Sequence, residues 1–429
     1  MQRYEKYKDS GIDWLGEIPE HWELNRLKHL FKEKKKVLNF SLSAGSISFG
    51  EVVFKDDEKI PESTKATYQE VLKGDYLINP LNLNYDLISL RIALSDIDVV
   101  VSSGYIVIQD VIQLNKNYYK WLLHQYDVSY MKLLGSGVRQ TISFNNIANS
   151  ELPYPNLDEQ EVIANFLNEK CEKIDGAVIL KEQQIEKLKE LRQITIHNAV
   201  TKGVSHFTGK VVRMKNSGID WIGEIPEHWK VKKLKYLFYL TGGGTPSKEN
   251  SAFWNGSIPW VSPKDMKAKW IEKTEDYISE VAIQNSSTKL IPKNSLLLVV
   301  RSGILQRTLP LCFAKVDLTI NQDIKAITVK SKMTYEFLYY YILGLEHFLL
   351  KEWVKDGATV ESIEISYLEN TKLVFPSLFE QEEITAYLEE QTSKIDKAIA
   401  QKQEQIIKLK EYKQSLINEA VTGKIKIIA

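Results

Sequence analysis

Two cysteines, Cys171 and Cys312, and seven histidines in 429 residues leave little material for several classes of chemistry. Two thiols make neither a disulfide framework nor a four-ligand zinc site, so a reduced, intracellular setting is expected. The histidines show no metal-ligand spacing; His21 and His228 both sit inside Pro-Glu-His-Trp, where packing or capping is their ordinary role. Long hydrophobic runs are missing too. Leu296-Leu-Leu-Val-Val300 has the length of a strand and is too short for a bilayer. The first ten residues are polar and charged, unlike a secretory leader. A soluble, cytoplasmic protein is expected. Charge of one sign is also lacking, with 56 basic against 56 acidic residues. Only residues 211–376 tilt basic, 22 to 18, so charge alone does not mark a nucleic-acid binder.

Catalytic motifs are equally scarce. Gly242-Gly-Gly-Thr-Pro-Ser-Lys248 lacks the Gly-Lys spacing of a phosphate-binding loop and reads as a loop. Asn79-Pro-Leu-Asn82 echoes the Asn-Pro-Pro-aromatic motif of amino-methyltransferases without its second proline or the aromatic that sandwiches a flipped base. The carboxylates of Asp56-Asp-Glu58 fit a solvated loop. The sequence offers no catalytic residue, metal ligand or cofactor site, and the chain is expected not to be an enzyme.

What is present is a repeat. Residues 8–31 return at 215–238 with 17 of 24 positions identical, centred on Trp-x-Gly-x-Ile-Pro-x-His-Trp at Trp14–Trp22 and Trp221–Trp229. A second element repeats as well: Pro155-Asn-Leu-Asp-Glu-Gln-Glu161 matches Pro376-Ser-Leu-Phe-Glu-Gln-Glu382, and the match runs on to Ala199-Val-Thr201 and Ala420-Val-Thr422. Self-similarity of this kind marks a chain built from two copies of one unit. The first element recurs 207 residues on (Trp14 to Trp221) and the second 221 on (Glu159 to Glu380), so the second copy carries 14 extra residues between them.

The second element predicts a long helix in each copy. Asn156 or Ser377 at the N-cap with Glu159 or Glu380 three residues later is a capping box. Apolar residues then recur at coiled-coil spacing: Ile174, Val178, Ile185, Leu188 and Ala199, then Ile395, Ile399, Ile406, Leu409, Leu416 and Ala420. Lys181 and Lys402, and Arg192 and Lys413, interrupt the seam at matching positions. A helix over 157–201 would be roughly 65 Å long, with Gly176 as a weak point. The matched register favours the two helices packing on each other within one chain over a homodimer zipper.

Residues 24–155 and 231–376 read as mixed α/β globules, with strands at Val99–Val101, Tyr105–Ile108 and Ser295–Val300 and closing helices at Tyr118–Leu134 and Tyr335–Trp353. Their sequences hardly match, which is expected of modules that recognise different things.

With these motifs twice in the same order, the chain resembles the specificity subunits of type I restriction–modification systems over essentially its whole length. Thr241-Gly-Gly-Gly-Thr-Pro-Ser247 with Phe253–Val261, and Gly135–Ser143, look like parts of that family's target-recognition domains. The resemblance implies an α+β fold: two α/β globular target-recognition domains separated by two long helices that form an intramolecular antiparallel coiled coil, a pseudo-two-fold repeat. The segments are 1–155 (first recognition domain), 156–210 (central helix and linker), 211–376 (second recognition domain) and 377–429 (C-terminal helix). It also implies a non-catalytic role in host defence. Each domain would read half of a bipartite double-stranded DNA sequence. Two methyltransferase subunits would dock on the helices, with optional motor–nuclease subunits. S-adenosylmethionine, ATP and Mg2+ would belong to those partners.

Base readers are sought among loop residues that match base edges: Arg and Lys for guanine, Asn and Gln for adenine, Ser and Thr for either. The candidates are Ser102, Ser103, Arg139, Gln140 and Thr141 in the first domain. In the second they are Thr245, Ser247, Lys248, Lys264, Arg301 with Ser302, Asn321 and Gln322. Each has an ordinary alternative as a surface or folding residue. The basic run Lys32–Lys36 is a phosphate candidate or a solvated loop. The competing reading of the whole chain is a coiled-coil scaffold whose two globules bind proteins.

Overall fold

The structure, a computed structural model, describes residues 2–81, 90–131, 141–209, 211–330, 332–355 and 360–428. The capped apolar stripes form two long helices, Leu157–Lys202 and Leu378–Val421, of 46 and 44 residues. The first runs through Gly176, whose missing side chain faces open space. Among the described residues no helix is long and apolar enough to cross a membrane.

Contacts gather the chain into two compact units, 1–182 with 403–429 and 183–402. The division falls inside both long helices, and the cores show why. The first unit's core takes Ile163, Leu167 and Ile174 from the start of the first long helix, and Leu416, Ile417, Ala420 and Val421 from the end of the second. The second unit's core takes Ile384 and Leu388 from the start of the second helix, and Ile196, Ala199 and Val200 from the end of the first. Each globule is thus packed on the beginning of its own helix and the end of the other.

Within each unit the helix segments run antiparallel. In the first, Lys413 Nζ meets Asp175 at 2.6 Å and Lys181 Nζ donates to Gln405 Oε1 at 2.7 Å. In the second, Arg192 Nε meets Asp396 at 3.0 Å, while Phe207, just past the helix, stacks on Tyr387. Asp175 and Asp396 hold the same repeat position, as do Arg192 and Lys413, so one ion pair is made twice. At this exposure each pair contributes at most ~1 kcal/mol and acts mainly on register. Along the seam Ile174, Val178, Ile185, Ile395, Ile406 and Leu416 are buried, whereas Leu188, Ile399 and Leu409 are half-buried.

The globules share a sheet order despite their divergent sequences. In the first unit an antiparallel sheet runs Phe31–Glu33, Ile106–Asp110, Tyr76–Ile78, Ile92–Leu94. In the second the same path is Phe238–Gly242, Ile324–Val329, Leu296–Val299, Leu311–Ala314, extended by Trp270–Ile271 and joined by a separate four-stranded sheet. In both, the strand that opens the globule pairs with the strand that closes it: Glu23–Arg26 with Glu151–Tyr154, and Lys230–Lys233 with Lys372–Phe375.

Two helices differ from expectation. The first globule's closing helix spans Lys116–Ser129, with Asn115 Oδ1 accepting from the backbone N–H groups of Asn117 and Tyr118. The second breaks into Tyr335–Gly344 and Glu346–Trp353. The break lies where the first long helix ends against it. A Cβ on Gly344 would come within 3.0 Å of Ile196. The carbonyls freed there are taken up by Gln193, which donates to Leu343 O and Gly344 O.

Candidate nucleic-acid interface

The two repeated motifs meet each other. Trp22 is fully buried, and its indole N–H donates to Glu159 at 3.3 Å while His21 Nε2 lies 2.9 Å from the same carboxylate. In the second unit Trp229 and His228 hold Glu380 in the same way, at 3.3 and 2.6 Å. These glutamates also serve the capping boxes: the Glu159 N–H donates to Asn156 Oδ1 at 2.9 Å, and Ser377 and Glu380 exchange bonds at 3.0–3.3 Å. The next residue completes the joint. Buried Gln160 donates to Pro155 O and accepts from the Asn115 N–H that begins the closing helix. Gln381 does the same for Pro376 and Thr334. The six-membered ring of each tryptophan meets the end of the other long helix: Cβ atoms built at Gly423 and Gly203 would lie 3.0 and 3.3 Å from the rings of Trp22 and Trp229. Both glycines have positive φ, as a helix C-terminus favours. His21 and His228 are therefore positioning residues of the frame.

Burial of the Glu380 carboxyl pushes its pKa up, but hydrogen bonds from His228, Ser377 and Trp229 outweigh it and hold the group below its ordinary value. A carboxylate depressed by folding adds stability at neutral pH, and that share is lost as pH falls through its folded pKa. Glu380→Gln should therefore flatten the acid limb of the unfolding midpoint against pH below about pH 4.3. Acid limbs of equal slope in variant and wild type would show that the depression has no energetic weight.

That frame leaves the loops of the globules free. Ser102 and Ser103 lie exposed just after the strand Val99–Val101, and Lys36 Nζ donates to Ser103 O at 2.8 Å. Thr141 is exposed and bridges to Leu81, while Arg139 and Gln140 lie outside the described residues. Lys34, in the basic run, is drawn inward between Glu70 and Asp75. Asn79 accepts from the Leu81 N–H at 3.0 Å, a turn-forming role, and Asn82 lies outside the described residues.

The second globule brings several candidates to one end of its sheet. Gly243 lies so close to the chain at 320–321 that a Cβ would fall 2.0 Å from Ile320 O, which explains the glycine run. This contact sets exposed Thr245 against exposed Gln322, Oγ1 to Oε1 at 2.5 Å. The same turn accepts the backbone N–H of Arg301 at Asp323 O, with Ser302 beside it bonded to Glu361 O. Thr245, Gln322 and Arg301 thus share one exposed edge. Asn321 differs: it is 5% exposed and bonds Asp323 with its side chain, a folding role. Ser247 and Lys248 are exposed, and Lys248 borders an open cleft of about 410 Å³ lined also by Trp254, Tyr277 and Asp276. Lys264 is paired with Glu275, so meeting a phosphate would require exchanging that partner. Both thiols are buried, and burial pushes Cys171 up to about 11 and Cys312 up to about 12, which makes them inert packing residues at neutral pH.

Comparison with known proteins agrees with this architecture. Residues 19–190 and 226–410 both match the family described as type I restriction modification DNA specificity domain. A type I restriction enzyme specificity subunit of Escherichia coli is 34% identical over 258 residues, which is 59% of this chain; the match spans 58% of that relative's length. A type I restriction enzyme specificity subunit of Methanocaldococcus jannaschii is 23% identical across all of this chain and 98% of its own. A chain from a solved type I R-M system superposes with a TM-score of 0.72 at 17% identity, covering 95% of this chain and 99% of its own, a likeness of fold. With two matched domains covering most of its length, the chain belongs to the type I restriction modification DNA specificity family.

Proposed function

We propose that this chain is the address-reading, non-catalytic subunit of a type I restriction–modification complex, acting in the cytoplasm on double-stranded DNA. Each globule reads one half of a bipartite sequence. The observation that carries this reading is the contrast between frame and loops. The tryptophan–glutamate joint, the buried glutamine and the sheet order occur in both units, while the loops that share their exposed ends differ. A common mount with two unlike surfaces suits two unlike half-sites.

Two methyltransferase subunits dock on the helices, with motor–nuclease subunits as optional further partners. Ile179 and Leu180 in the first unit, and Leu191 and Ile194 in the second, are apolar helix residues left about half exposed, the kind of surface a protein partner covers. S-adenosylmethionine, ATP and Mg2+ belong to those partners. The neutral net charge is consistent with partners that carry much of the phosphate contact.

The test combines the chain with its methyltransferase partner, maps the methylated sequence, and repeats this with Arg301→Ala. Loss of one bidentate base contact costs about 1–3 kcal/mol of discrimination. Methylation should relax roughly ten- to hundredfold at one position of the second half-site, with the first half unchanged. Equal loss in both halves would make Arg301 a folding residue. Binding without preference for any duplex would return the chain to the scaffold reading.

A further inference from the structure

A bulky aromatic stands where the backbone favours glycine or asparagine. Strands Gly45–Ser48 and Glu51–Phe54 form a hairpin closed by Phe49 and Gly50, with Ser48 paired to Glu51. Both turn residues have positive φ, 48° for Phe49 and 80° for Gly50, the signature of the tight turn that matches strand twist. Among the described residues the other non-glycine positions with positive φ are Asn255 and Asn294, which tolerate it. Phe49 does not, and the residue is 91% exposed. The position is thus costly twice, in backbone and in solvation, and neither cost is recovered in the folded chain. Such outliers point to a contact made elsewhere.

The hairpin is built to hold that ring still. Its cross-strand pair Ile47 and Val52 packs on a small core of Val71, Val99 and Val101. At its base Ala44 bridges Val100, and the Lys55 N–H donates to Ala44 O at 2.7 Å. Behind the tip, Leu90 lies so close to Gly50 that a Cβ there would come within 2.6 Å. A stiff two-stranded ribbon of this kind fits a DNA groove. The ribbon's base sits on the strand that leads to Ser102 and Ser103, near exposed Lys35, Lys36 and Lys55. Glu51, exposed beside the tip, disfavours a seat against phosphates and favours one among the bases.

We propose that Phe49 is a wedge that enters the base stack of the duplex at the half-site read by the first globule. Inserted apolar side chains unstack a base step and kink the duplex, so the residue acts on DNA shape. This rests on the DNA-reading function above.

The experiment uses the full chain assembled with its methyltransferase partner on target duplexes carrying 2-aminopurine at successive positions, leaving out the base to be methylated. The wild type should brighten at one step of the first half-site. Phe49→Asn should abolish that signal and weaken binding to the target roughly tenfold or more, the loss expected for one aromatic–base contact. Because asparagine suits the turn, the same variant should unfold at an equal or higher temperature. Phe49→Trp should keep the signal. Unchanged brightening and affinity in Phe49→Asn would overturn the wedge, and so would lost assembly with the methyltransferase without DNA, which would make Phe49 a protein contact. A wild-type complex with no preference for any duplex would instead remove the reading on which the wedge depends.

Discussion

Trp229→Ala should lower the stability of the second unit by about 3–5 kcal/mol, the range for truncating a large buried aromatic. Trp229 is 1% exposed and joins three parts of the chain. Its ring fills the second core beside Gly203 at the end of one long helix, and its indole N–H bonds Glu380 at the start of the other. Truncation opens a cavity between two helix termini and removes one donor from a carboxylate that caps a helix. Trp229→Phe should recover most of the packing share but not the hydrogen bond, and so fall between the two. Hydrogen exchange would locate the loss: amides at 196–203 and 378–388 should lose protection, while the first globule's sheet keeps it. A denaturant midpoint shift worth less than about 1 kcal/mol would show that the joint is dispensable.

Asp127→Ala should be of similar size in the first unit. Asp127 is fully buried on the closing helix; it accepts from the Arg91 backbone N–H at 2.8 Å and from Nε at 3.0 Å. Both terminal nitrogens of Arg91 are buried without a hydrogen-bond partner among the described residues, so the guanidinium depends heavily on this carboxylate. Removing one partner of a buried ion pair typically costs about 3–5 kcal/mol, because the other charge stays behind uncompensated. Replacing both residues with apolar side chains, Arg91→Met with Asp127→Leu, should recover much of that loss. A double variant as unstable as Asp127→Ala alone would mean that the pair is needed for its geometry and not merely for charge balance. Chemical denaturation of the three chains decides between these outcomes.

The frame was legible because its physics is local and repeated. A capping box, a heptad seam and a twice-written motif announce themselves at short range, and the long helices begin where Asn156 and Ser377 said they would. The joint between the motifs was less legible. Glu159 and Glu380 read as caps, and that they also bind Trp22 and Trp229 is a long-range fact. Its one sequence signal is that both motifs are retained in both copies. The common sheet order was hidden because alternating burial specifies a strand without fixing its residues. Among the candidate base readers, polarity marks Asn321 as readily as Gln322, although the first is buried and the second exposed. Phe49 is not legible in the sequence because its oddity lies in a dihedral angle. An exposed phenylalanine is ordinary in a sequence; one held with positive φ at a hairpin tip is not.

The pairing of opening and closing strands has a consequence for how such chains diversify. Glu23–Arg26 and Lys230–Lys233 each lie beside the strand that ends the same globule, so everything in between leaves and returns through one narrow doorway. Whatever is threaded through that doorway can lengthen, shrink or be exchanged while the tryptophan, the glutamate and the buried glutamine keep their places. Repeated stretches flank each doorway, with 17 of 24 positions identical between 8–31 and 215–238. The part of the chain that differs between the two globules is thereby uncoupled from the part that must fold the same way twice.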